Sequence, residues 1–232
     1  MPKIAAPVRR SGARALVALC VIASAATVDW TAGATPADCA SADPTRVQAE
    51  MFATDNTAVI TDPQDRRLRD PLTAFEFRAD ADVLRALALP VGSTRVEGVY
   101  WSDSAQRATY ESSREFHIAC IDAPGLHGLA GALRTEFHQD SVLTFRPLPR
   151  ADAAADAIVA QVPGLTITRV HDALVADPVV RERLGGASVT DSGLGILVAD
   201  RADLDLVRRF VIAAGGNWDA ATIRYGSREF VE

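Results

Sequence analysis

Hydrophobic and polar positions along this chain switch between two periods. Residues 57–61 (TAVIT) form a short apolar run closed by Asp62-Pro63, which predicts a strand. After Pro71, the residues Leu72, Phe75, Ala79, Val83 and Ala86 recur at three- and four-residue steps and predict a helix over 71–88. Phe77 falls off that stripe, and an alternative reading makes 73–78 a strand with only 80–88 helical. Residues 95–101, a polar turn over 102–106 and a long run over 107–121 predict a β-hairpin. On its second arm Phe116, Ile118 and Cys120 share one face, and Glu115, His117 and Ala119 share the other. The apolar set is expected to face helices and the polar set to face outward. Asp122 reads as an N-cap with Pro124 in the first turn. Leu126, Leu129, Ala130, Leu133 and Phe137 then mark a helix, and 141–145 a strand.

The second half repeats this order. A strand over 157–162 is followed by a helix through Ile167, Val170 and Leu174, and by a short helix from Pro178 to Leu184. A hairpin turns at Asp191-Ser192-Gly193, a helix carries Leu204, Val207, Val211 and Ala214, and a strand covers 220–225. Strand-helix-strand-strand-helix-strand, twice over, predicts an α+β protein of two tandem ferredoxin-like βαββαβ units with antiparallel sheets, at 51–149 and 155–232. In that architecture each sheet keeps one face free of helices, for a ligand, for a partner, or for a homodimer through sheet faces.

The N-terminal stretch has a different character. Lys3, Arg9, Arg10 and Arg14 precede an apolar run over 15–28, and Ala32-Gly33-Ala34 follows. This is the pattern of a secretory leader cleaved after Ala34, with residues 35–50 as a flexible arm; an uncleaved anchor is the alternative. The expected location is secreted or at the cell envelope. Cleavage removes those four cations and Asp29, and moves the net charge from −6 to −9. A chain this acidic lacks the basic footprint that nucleic acid requires. Lys3 is the only lysine, so P-loop and Schiff-base chemistry are absent from the mature chain. Cys39 and Cys120 remain as an even pair in an oxidising compartment and are expected to form a disulfide.

The run 98–145 resembles a family of small uncharacterised bacterial exported proteins. The shared features are Gly98 followed by Tyr100 and Trp101, then Glu111 and Ser113, then Phe137-His138-Gln139-Asp140-Ser141-Val142-Leu143. The resemblance implies export and carries no activity or site residues.

Candidate chemistry concentrates in the 93–122 hairpin. Glu115 and His117 lie on one strand face and offer an acid/base pair. Tyr100, Trp101, Tyr110 and Arg114 are binding candidates, with a cross-strand Arg114–Glu111 pair as the structural alternative for the arginine. His117, His138 and Asp140 lack metal-ligand spacing, Ser192 lacks a nucleophile elbow, and Gly193-Leu194-Gly195 lacks the third glycine of a dinucleotide fingerprint. No metal or cofactor is expected. The function expected is a non-catalytic binding or interaction module for a small molecule or an envelope protein. A small-substrate enzyme using Glu115 and His117, with Arg114, is the first alternative, and a structural dimer the second.

Overall fold

The computed structural model describes residues 46–232. Eight strands make up the sheet: β1 (Ala49–Ala53), β2 (Leu89–Ser102), β3 (Arg107–Ala119), β4 (Val142–Pro147), β5 (Ala157–Pro163), β6 (Gly186–Thr190), β7 (Leu194–Asp200) and β8 (Thr222–Val231). Five helices connect them: α1 (Thr73–Arg85), α2 (Ala123–Glu136), α3 (Ile167–Ala176), α4 (Pro178–Arg183) and α5 (Leu204–Ala213). None of the described helices is long and apolar enough to cross a membrane.

The strands close into one antiparallel barrel in the order β1-β3-β2-β6-β7-β5-β8-β4, with β4 pairing back onto β1. This overturns the expected α+β arrangement of two tandem ferredoxin-like units. The reason lies at the edges. Two separate sheets would each leave unpaired N–H and C=O groups along their outer strands. Here β2 pairs with β6, from Val96↔Thr190 to Tyr100↔Gly186, and β4 pairs with β8, from Val142↔Val231 to Pro147↔Gly226. Those two seams join the edge strands of the two halves, β2 over Val96–Tyr100 and β4 along its length. They also turn the faces expected to stay open into the barrel interior.

The first strand is displaced as well. Only Ile60 of the run 57–61 pairs, through a single bridge to Tyr110, whereas β1 starts at Ala49, within the stretch expected to be a flexible arm. Met51 and Ala53 pack outward while Glu50 and Phe52 project inward, so a charged residue interrupts the apolar run that would announce a strand. The alternative strand over 73–78 is helical, within α1. The predicted leader and Cys39, and with it the expected Cys39–Cys120 pairing, lie outside the described residues; Cys120 itself is disulfide-bonded.

Two apolar layers fix the helices to the outside of the barrel. On one side Phe75 of α1 packs edge-on against Phe116 of β3 and Phe137 after α2, with ring centroids 5.7 and 4.8 Å apart. Leu126, Leu129 and Leu133 of α2 join this layer over β1 and β4. Asp122 caps α2 by accepting from the Gly125 N–H at 2.8 Å. On the other side Val170 and Leu174 of α3, and Val207, Phe210 and Val211 of α5, cover Ile158, Ala160 and Val162 of β5 and Leu197 of β7. A third, smaller cluster lies inside the barrel: Val96, Phe145, Ala157, Val159 and Ile196, with Phe52 and Val198 against it. Gly226 makes room for it, because a Cβ there would run into the Phe145 ring.

Candidate functional site

Alternation along β2 and β3 decides what the barrel contains. Paired residues of neighbouring strands lie on the same face. Val96, Gly98 and Tyr100 of β2 therefore point inward with their partners Ser113, Glu111 and Thr109 of β3 and Thr190, Ser188 and Gly186 of β6. Further along β3 the inward residues are Glu115 and His117. The inward face of β3 is thus polar from Thr109 to His117. The internal apolar cluster divides these polar residues into two sites, one at each end of the barrel.

At one end Glu50, Glu115, His117 and Arg224 form a network. Glu50 and Glu115 are each 2% exposed. Arg224 grips Glu50 with both terminal nitrogens, one at 2.9 Å from Oε2. His117 Nε2 stands 3.5 Å from Glu115 Oε1, which makes no hydrogen bond of its own. Burial pushes the Glu50 carboxyl up, against the opposing pull of Arg224. His117 is raised, chiefly by the Glu115 carboxyl beside it, with burial opposing. Donor atoms of Glu50, Glu115 and His117 lie within 4.8 Å of one another, a spacing a divalent cation can use. The Arg224 guanidinium already supplies the positive charge to Glu50, however. The cluster is an internal polar network at that end.

The other end is open. A cavity of about 550 Å³ enters the barrel there. Its walls come from the C-terminal ends of β1, β2, β7 and β8 and the N-terminal ends of β3, β4 and β6, and residues 54–60 and 139–141 form part of its rim. Ile196, Val198 and Phe52 belong both to its lining and to the internal apolar cluster, so the cavity has a floor. Thr54 and Gln139 tie the rim together, the Thr54 N–H donating to Gln139 Oε1 at 2.9 Å.

A polar group sits inside. The Tyr100 ring lies over Gly98 and against Gly186, where a Cβ on either glycine would strike it. Its hydroxyl shares a 2.9 Å hydrogen bond with Ser188 Oγ, from the strand across the β2–β6 seam. Glu111 stands beside Gly98 on β3, and the Ser113 hydroxyl is within reach of both Glu111 and Tyr100. Burial pushes the Glu111 carboxyl up to about 7, with Ser113 opposing. Tyr100 is pushed up by burial and by the adjacent Glu111. Among the described residues Glu111 forms no ion pair. It keeps part of its surface open to the cavity.

The residues expected from sequence distribute unequally. Tyr100, Trp101 and Tyr110 line the cavity. Trp101 carries Arg181 over its ring at 4.3 Å, and Tyr110 stacks on His171 at 5.6 Å. Arg114 does not reach the cavity. It points outward from β3 and is bound to Glu76 at 2.7 Å, Ser93 at 2.8 Å and the Pro71 carbonyl at 2.8 Å, so it anchors the segment entering α1. Glu111 is not its partner. Glu115 and His117 face the interior, not bulk solvent, and line the far end. Glu111 and Ser188 were missed as site residues. The signal for them was the row of polar residues at alternate positions on β3, together with the glycines that clear space for one tyrosine.

No family model matches the chain, and no curated protein or solved structure matches it.

Proposed function

We propose that this is an exported, non-catalytic binding protein that holds a small molecule in the open mouth of the barrel. The cavity carries this reading. Its volume falls in the range of small-molecule sites, and its lining combines apolar and aromatic walls with a few convergent polar groups. Phe52, Trp101, Leu143, Val198 and Phe230 offer an apolar body its contacts, while Glu111, Tyr100 and Ser188 fix a polar end. The acid/base pair required by an enzyme reading, Glu115 and His117, does not line this cavity. The export half of the proposal rests on the sequence pattern of residues 1–34.

The neutral fluorophore N-phenyl-1-naphthylamine tests the cavity. Its emission is expected to rise on saturable, one-to-one binding, and Val198→Trp, which fills the floor, is expected to weaken that binding at least tenfold. One-to-one binding unaffected by Val198→Trp, or no binding at all, would contradict the reading.

A further inference from the structure

The cavity's charged side chains show which ligands suit it. Only Glu111 and Asp140 among the lining residues are charged, and both are acidic. No arginine or histidine lines the cavity, although every cation among the described residues is one or the other. The two residues differ in setting. Asp140 is exposed at the rim, where water solvates it. Glu111 lies below, between Tyr100 and Ser113, without an ion-pair partner. A carboxylate removed from water and left unpaired is costly, and the site recovers that cost only by taking up a proton or a cation. Aromatic rings of Phe52 and Tyr100 border the same space, and aromatic faces attract cations. The net negative charge of the chain favours the approach of such a ligand.

Resting on the small-molecule reading above, we infer that the ligand is an organic cation: an amine whose ammonium pairs with the Glu111 carboxylate while its apolar body lies along Phe52, Leu143, Val198 and Phe230. Binding then exchanges a proton for the ligand at Glu111. Tyr100 from β2 and Ser113 from β3 stand beside this carboxyl, and Thr109, Ser188 and Asp140 line the same cavity. None of them supplies a positive charge. Arg181 and His171 lie behind Trp101 and Tyr110 and do not line the cavity.

The test compares 4-phenylbutylamine with its neutral analogue 4-phenyl-1-butanol, each competing with N-phenyl-1-naphthylamine. At pH 8 the amine is expected to bind at least tenfold more tightly than the alcohol. Below pH 7 its affinity falls by up to about tenfold per pH unit, as Glu111 takes the proton, while the alcohol's does not. Glu111→Gln, which conserves shape, removes the preference. Equal or weaker binding of the amine at pH 8, or a preference retained in Glu111→Gln, overturns the inference and leaves the cavity as a neutral-ligand site. Displacement by neither phenyl compound, with the fluorophore bound, also overturns it. If the fluorophore itself fails to bind, the small-molecule reading falls with it.

Discussion

Two buried carboxylates show how much one neighbour decides. Glu50 has a guanidinium gripping both oxygens; Glu111 has hydroxyl neighbours and an opening to solvent. Removing Arg224 strands Glu50 in a nearly closed interior. Arg224→Met is therefore expected to cost about 3–5 kcal/mol in urea unfolding at pH 7, and Glu50→Gln in the same chain to recover most of the loss. Glu111 should behave in the opposite way. Its carboxyl is raised from the ordinary 4.5 to about 7, so the folded state prefers it protonated. That preference stabilises fully below pH 4.5 and is lost as pH rises to about 7. Glu111→Gln has no such loss. Thermal melts of the ligand-free protein should show its advantage over the unaltered chain growing from pH 4.5 to 7 and level above. Neither behaviour is legible from residue type, because both acids look like surface positions in the sequence. The polar face of β3 was read as solvent-facing since alternation tells which residues share a face, and says nothing of what lies over it.

Helix and strand positions were largely readable at the scale of elements, for a plain reason. The stripes Phe75-Ala79-Val83 and Leu126-Leu129-Leu133 pack on one side only, so their period survives in the sequence. β1 was not readable. Its five residues carry Glu50 inward, and that charge makes sense only beside Arg224 in β8, 174 positions away. The two layers outside the barrel also differ in how they hold together. The α1–α2 side is organised around the Phe75, Phe116 and Phe137 rings, with Phe75 completely buried. Phe75→Ala should cost about 3–5 kcal/mol in chemical denaturation, and loosen α1 before the rest as read by amide exchange.

Closure governs the whole molecule. Each half of the chain supplies four strands, and each contributes two edges to the seams β2–β6 and β4–β8. A fragment of residues 46–150 would expose β2 over Val96–Tyr100 and one side of β4 along its whole length. It is expected to self-associate, with sedimentation velocity showing dimers or larger species at micromolar concentration, whereas a stable monomer would show that closure is dispensable. The expectation of separate sheets failed at this scale because pairing between strands distant in sequence leaves no period or motif to read. Nothing in residues 95–101 or 186–190 marks them as partners until both are seen to lack another neighbour.

The internal cluster of Val96, Phe145, Val159 and Ile196 has a kinetic consequence. With Phe52, Ile196 and Val198 as its floor, the cavity opens at the mouth, so a ligand held there as proposed leaves by the route it entered. Exchange is therefore strictly sequential. A competitor added in excess should set the final occupancy without hastening the departure of the molecule already inside, so the release time belongs to the bound ligand and the rim residues it passes.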